Sequence, residues 1–352
     1  MTEIHRSMLM HPIAYILHSG NLYGTERMAL ATLAGLEQQD KGLLLAPAGP
    51  VHAEAEHLGI RSQTFASASD LGRRLYRFFR RRRSVNLIAT GVSHSLIAHS
   101  LAWAQGCDLN HLHVVHGGTD ERLSYGRKAL LGRLPITLVA VSLFVRQRLM
   151  AHGCRDQQIT VVENFLPGQA SRDDNPIERG SIRRVAMISR IDPIKRVHLL
   201  LEAVERKPEL RDLQFEIFGE GSEYERLKAR AAALPNVVLQ GFQADAAERL
   251  AEFDLLVHTC AEEPFGLAIL EGMAGGIPVL VPNAGGSGSL IEHGHTGFHF
   301  PANCSGGLAN RLLKLKHLPP SRLQAVVDTA SHALKTRFSP ARGLAQYAEL
   351  LA

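Results

Sequence analysis

Residues 255–281 read LLVHTCAEEPFGLAILEGMAGGIPVLV. An apolar run from Leu255 to His258 has the length of a buried strand, and Ala261 to Gly266 carries turn-forming residues. A helical pattern follows from about Gly266 to Gly275, and a second apolar run spans Pro278 to Val281. Strand, loop, helix and strand in this order make a βαβ unit, whose two strands lie parallel under a covering helix.

The same alternation extends outward in both directions. Upstream lie strands at Val185–Ser189, Phe215–Phe218 and Val237–Leu239, with helices at Val197–Arg206 and Glu223–Ala233. A second series fills the first half: strands at Ile13–His18, Leu43–Pro47, Leu87–Thr90, His113–His116 and Leu138–Val141, with a helix at Glu26–Gln38. Between the two series, PGQASRDDNPIERGS (167–181) has proline, glycine and charge but no periodicity, and it reads as a linker. The fold class expected is α/β, with Rossmann-like domains at 1–166 and 182–338 facing a cleft. A last helix, Pro340 to Leu351 with Ser339 as its N-cap, closes the chain. Ligands of open parallel sheets bind beyond the carboxyl ends of the strands, which points to that cleft.

Composition supports this. Of 352 residues, 45% are hydrophobic and 21% charged, which excludes extensive disorder. No apolar run approaches the roughly 18 residues of a membrane span. The apolar N-terminal stretch Met8 to Leu17 is broken by His11 and Pro12 and is followed by no cleavage site, so a cytoplasmic location is expected. Cys107, Cys154, Cys260 and Cys304 form no C-x-x-C pair, which argues against a zinc site and a disulfide framework. The net charge of +5 is uneven: residues 1–165 hold 18 basic and 12 acidic side chains, residues 166–352 hold 21 and 22.

Four motifs lie at strand ends. Glu263 and Glu271 form an E-x₇-E spacing around Pro264-Phe265-Gly266, which is expected to open the helix. The helix mouth is then an anion site, with Glu271 about two turns in, placed to accept ribose hydroxyls, and Glu263 on the sugar side. The alternative is a solvated acidic loop before an ordinary helix. Arg190 and Lys195 follow a strand where a diphosphate would lie, and the alternative is a basic surface loop. Phe218-Gly219-Glu220-Gly221 lacks the third glycine of a dinucleotide fingerprint, because Tyr224 stands there. Ala284 to Ser289 is a glycine-rich turn for close approach to a ligand, or merely a flexible one, and Gly20 to Thr25 is expected to meet phosphates from the opposite domain. No G-K-[ST] exists, which excludes a Walker-type NTPase.

Strand alternation sets His111 and His113 on one face and His116 on the other, poor geometry for one metal, so His116 reads as a cleft residue. His293, His295 and His299 read as surface histidines. Leu71 to Arg83 (LGRRLYRFFRRRR) places Leu71, Leu75, Phe78 and Phe79 on one helical face. The opposite face, with Arg73 to Arg83, is either a solvated basic surface or an attractor of anionic lipid headgroups.

In order and spacing these pieces resemble the family four glycosyltransferases of the GT-B fold along nearly the whole chain. The matching positions are Glu263 with Glu271, Arg190 with Lys195, Gly219 with Gly221, Gly294 with Gly297, Gly24 with Glu26 and Arg27, and Val161 with Asn164. Tyr23, Phe165 and Arg196 stand where the family has glycine, and Ser289 where it has glutamate. The resemblance implies transfer of a sugar from a nucleotide diphosphate donor, UDP by default, with retention of configuration and no required metal or other cofactor. It implies that Arg190, Lys195 and the amides of Phe265, Gly266 and Leu267 stabilise the diphosphate. Glu263 would orient the sugar, His116 would contact sugar or acceptor, Glu271 would hold the ribose, and Phe242 would lie near the base. It also implies that residues 339–352 cross back to the first domain. The expected partners are the nucleotide-sugar, a glycan or lipid-linked acceptor and an anionic membrane surface at Arg73–Arg83, without nucleic acid. Peripheral placement on the inner membrane face goes with this. The rivals are a nicotinamide-dependent oxidoreductase, disfavoured by the incomplete fingerprint, a silent nucleotide-sugar-binding scaffold, and an epimerase.

Overall fold

The computed structural model describes residues 11–36, 42–118, 121–167 and 181–352. Most of the expected linker, 168–180, and the end of the first expected helix lie outside the described residues. The chain divides into two units, Met1–Gly168 with Ser339–Ala352, and Gln169–Phe338.

The first unit contains β1 (Ile13–Ile16), α1 (Gly24–Leu36), β2 (Gly42–Ala46), α2 (Val51–His57), β3 (Ser62–Thr64), α3 (Ala68–Phe79) and β4 (Ser84–Ala89). It continues through α4 (Val92–Ala104), β5 (Asp108–Val115), α5 (Glu121–Ser124), β6 (Ile136–Ala140), α6 (Leu143–Ala151) and β7 (Ile159–Val161). Its sheet has the order β3-β2-β1-β4-β5-β6-β7, parallel throughout. The central strands are buried along their length, the pattern of a sheet covered on both faces.

On one face α3 turns Leu71, Leu75, Phe78 and Phe79 into the core, each contributing about 1.5–3 kcal/mol by burial. Ser67 caps the helix by accepting from the Asp70 N–H. Arg73, Arg77, Arg80, Arg81 and Arg83 face solvent, while Arg82 stacks over Phe78, 4.5 Å from its centroid.

The second unit contains β8 (Arg184–Ile188), α7 (His198–Arg206), β9 (Gln214–Phe218), α8 (Tyr224–Ala231), β10 (Val237–Gly241) and β11 (Leu255–Val257). Then come α9 (Leu267–Ala274), β12 (Val279–Pro282), α10 (Gly285–Leu290), β13 (Phe298–Phe300), α11 (Ser305–Lys316) and α12 (Pro320–Thr336). Its parallel sheet has the order β10-β9-β8-β11-β12-β13.

The final helix, α13 (Pro340–Leu351), belongs to the first unit, where it packs on α1 and β5 and the Asn110 side chain donates to the Leu350 carbonyl (3.1 Å). Ser339 caps it by accepting from the Arg342 N–H. Phe165, which stands where the resembling family has glycine, is buried, and its ring fills the space left by Gly343 on α13. Among the described residues no helix is long and apolar enough to cross a membrane.

Candidate active site

The second unit gathers its charged residues where β8 and β11 end. The loop after β8 carries Arg190 and Lys195, and its course depends on glycine. Gly219, with φ +134°, takes a backbone conformation that L side chains rarely adopt, and a Cβ there would overlap the Ser189 carbonyl. A Cβ at Gly221 would meet the Ile191 carbonyl in the same way. The two glycines thus let the 219–222 turn lie against the 189–192 loop, tied by Ile191 N–H to Glu220 O (2.8 Å) and Ser222 N–H to Asp192 Oδ1 (3.1 Å). Their visible role is to position the cation-bearing loop.

Within that loop the two cations part company. Arg190 pairs with Asp192 (3.1 Å) and stays half exposed. Burial raises the Asp192 carboxyl, but the Ser222 N–H and Arg190 outweigh it and hold it below its ordinary range. Lys195 turns inward, its Nζ donating to Glu263 Oε2 at 2.6 Å, with side-chain exposures of only 17% and 11%. Its carbonyl accepts from Thr259 Oγ1 (2.7 Å), which ties the loop to the end of β11. Arg196 follows in the left-handed region (φ +54°), where the resembling family has glycine, and its guanidinium reaches Glu262 (2.7 Å).

Burial alone would raise the Glu263 carboxyl, but Lys195 and the His258 ring 3.1 Å away reverse this, so it is held well below the ordinary carboxylate range. Burial likewise disfavours the Lys195 ammonium, and Glu263 more than restores it, so its pKa lies above the ordinary lysine value. At neutral pH this is a buried, fully ionised pair. Cys260 beside it is pushed up to about 12 by burial and by Glu263, which makes it a neutral thiol.

The helix mouth differs from expectation. Gly266 is the N-cap of α9 with φ +105°, so the helix begins at Leu267, one residue after the expected Gly266, and Pro264 and Phe265 lie before it. Of the first-turn N–H groups, that of Ile269 is taken by the Gly266 carbonyl (3.0 Å), which leaves those of Leu267 and Ala268 at the helix mouth. Glu271 stands one turn in, roughly 6 Å along the axis, and not two. It is buried, as is Phe265, whose ring packs edge-on against Phe338. Phe242 is exposed, directly after β10. The glycine-rich segment 285–290 is a short helix, α10, and not a loose turn. Gly286 lies against the Pro264 carbonyl and donates its N–H to Glu263 O (2.6 Å), so its close approach is to the chain's own site loop.

In the first unit, Gly24 opens α1, and Glu26 accepts from the Tyr23 N–H (3.1 Å), which is half of a capping box. His111 and His113 share a face, both bonded to Ser95 Oγ on α4 (3.1 and 2.8 Å). His116 lies just beyond β5, its ring pushed down to about 3 by burial, with His18 adding to the effect. His293 Nδ1 accepts from the His299 N–H (2.8 Å) and His299 Nε2 lies 3.0 Å from Gly288 O, so this pair is occupied by backbone.

One grouping escaped the sequence reading: His258, Cys260 and Glu263, whose ligand-type atoms all lie within 4.8 Å of one another. Its signature, H-x-C-x-x-E at a strand end, is visible in the chain, but cysteine–cysteine spacing does not reveal it.

Residues 172–330 match the family model described as Glycosyl transferases group 1. A segment of 131 residues is 30% identical to the N-acetyl-alpha-D-glucosaminyl L-malate synthase of Bacillus anthracis, covering 36% of this chain and 34% of that protein. The match thus spans about a third of the length of that curated relative. The crystal structure of Anabaena HepE in complex with UDP-glucose superposes with a TM-score of 0.82 at 21% identity, over 97% of this chain and 99% of that one. The apo lipopolysaccharide outer core galactosyltransferase WaaB does so with 0.76 at 18% identity, over 97% and 99%. The second unit is therefore similar to group 1 glycosyltransferase domains, and the two parallel-sheet α/β units of the chain have the GT-B fold.

Proposed function

We propose that the protein is a retaining glycosyltransferase of the family four kind. It moves a sugar from a nucleotide diphosphate donor, UDP-sugar favoured, to a glycan or lipid-linked acceptor in cell-surface polysaccharide or glycolipid synthesis. One observation carries this reading: a buried lysine–carboxylate pair stands at the strand ends in front of α9. A second cation, Arg190, lies on the same loop. The UDP-glucose bound to Anabaena HepE supports the choice of base.

As the glycosyl–phosphate bond breaks, negative charge grows on the departing diphosphate and positive charge on the sugar. Lys195, Arg190 and the amides of Leu267 and Ala268 stabilise the former once the donor is bound. Diphosphate competes with Glu263 for the Lys195 ammonium, so donor binding releases the carboxylate toward the sugar hydroxyls. Glu271 holds the ribose, with Phe242 near the base. His116 contacts sugar or acceptor, as the resemblance implies, with its ring neutral at pH 7. No step of this scheme calls for a metal ion.

The acceptor side is supported by charge. Arg73, Arg77, Arg80, Arg81 and Arg83 are exposed on and after α3, with Tyr76 half exposed on the same helix. The neighbouring α4 presents Trp103 at 85% exposure. Arginine clusters beside exposed aromatic rings suit an anionic lipid surface, and with it a cytoplasmic, peripheral location and a lipid-linked acceptor. The test is a donor screen that reads nucleotide release, with and without lipid-linked acceptors. Acceptor-dependent release of UDP is expected. Donor binding without release from any donor would show a silent scaffold instead.

A further inference from the structure

His258, Cys260 and Glu263 bring an imidazole, a thiol and a carboxylate to one point at the end of β11, each more than nine-tenths buried. His258 Nε2 lies 3.1 Å from Glu263 Oε2, yet outside hydrogen-bonding geometry, and it has no hydrogen-bond partner among the described residues. The backbone beneath the three is fixed. Thr259 Oγ1 donates to Lys195 O (2.7 Å), Ser287 Oγ to Cys260 O (3.3 Å), and Gly286 N–H to Glu263 O (2.6 Å).

We infer that His258, Cys260 and Glu263 form a binding site for a thiophilic divalent cation, zinc before others, and that Lys195 is the cation's competitor. One nitrogen, one sulfur and one carboxylate oxygen suit zinc and disfavour magnesium or calcium, which take oxygen ligands. Zinc–ligand lengths give tetrahedral edges of roughly 3.3–3.8 Å. The ligand atoms already lie within 4.8 Å of one another, close to these edges. A fourth position stays open to water. On binding, the Cys260 thiol releases its proton to solvent, because the thiolate is the ligand. The Lys195 ammonium, 2.6 Å from Oε2, leaves with its proton and turns outward, because a divalent cation taking that same oxygen repels it at close range. The bound metal is an inhibitor of the transfer proposed above and not its cofactor. The cation site itself rests on geometry and does not need that reading.

The test uses the full chain, stripped with a chelator and titrated with Co²⁺ alone. One equivalent should bind with a thiolate-to-cobalt charge-transfer band and tetrahedral visible bands, both removed by zinc. Cys260→Ser should lose the charge-transfer band, and His258→Gln should bind about ten-fold or more weakly. Lys195→Ala should bind about ten-fold or more tightly and gain more thermal stability from zinc than the native chain does. Absence of the charge-transfer band in the native protein would overturn the inference. So would a band that survives in Cys260→Ser, which places cobalt at Cys107, Cys154 or Cys304. Unchanged affinity in Lys195→Ala would overturn the competition.

Discussion

The end of β5 in the first unit and the end of β11 in the second bury ionisable side chains by opposite means. Beside β5 the groups are kept neutral. Burial pushes His111 down to about 3 and His113 well below its ordinary value, and Ser95 shares one hydroxyl between them. Ring nitrogens of His94, His99, His111, His113 and His116 remain without partners among the described residues. Beside β11 the charge is kept and matched, ammonium to carboxylate, on loops that glycines hold together. Neutral rings cost little until protons are offered. An ion pair holds until one member is taken away. The two regions therefore fail under different challenges.

The largest expected effect is removal of Lys195. Lys195→Ala leaves the Glu263 carboxylate buried and unmatched, at a cost of about 3–5 kcal/mol in unfolding experiments. It should also slow nucleotide release about 10²–10³-fold. Stability within about 1 kcal/mol of the native chain would contradict the matched-pair account.

Acid should break the comparison the other way. Well above the ordinary 6.5, His111, His113 and His116 are neutral whether the chain is folded or not. As pH falls from there toward about 3, the unfolded chain takes up protons that the folded one refuses, so stability is lost. Each refused proton is worth about 1.4 kcal/mol per pH unit. The Glu263 contribution, from a lowered pKa, is complete above the ordinary 4.5 and is lost only below it. Hydrogen exchange near pH 5 should therefore show β4 and β5 losing protection before β8 and β11. Simultaneous loss would refute this order.

A smaller effect tests a packing exchange. Gly343→Ala puts a methyl group into the Phe165 ring, which is buried, and should cost about 1–3 kcal/mol. The double variant with Phe165→Gly should lose that additional clash, as a double-mutant cycle would show. Smallest of all, Arg196→Gly relieves a left-handed backbone and gives up the exposed contact to Glu262, so it should stabilise by no more than about 1 kcal/mol. A fall in melting temperature would show that the Arg196–Glu262 contact outweighs the strain.

Much of the second unit was legible because its information is local. Glu263, Glu271, Arg190 and Lys195 stand at fixed spacings next to apolar runs, and those runs are the strands. What escaped depends on contacts distant along the chain. The glycine-rich segment 285–290 is a helix whose Gly286 packs on the Pro264 carbonyl, some twenty residues earlier in the chain, which its composition does not register. Phe165 reads as a departure until Gly343, far away in sequence, is seen beneath its ring. Strands β3 and β7 span three residues each at the sheet's two edges, too short for alternation to show. That Lys195 would face Glu263, and not stand free for phosphate, follows from the 195–259 tie, which no motif encodes.

The most direct measurement is nucleotide binding and turnover in Glu263→Ala. With the carboxylate gone, the Lys195 ammonium is free for diphosphate, so UDP should bind at least as tightly by calorimetry while donor turnover falls about a hundred-fold. Native turnover in that variant, or loss of UDP binding with the fold intact, would contradict a diphosphate site built on Lys195 and Glu263.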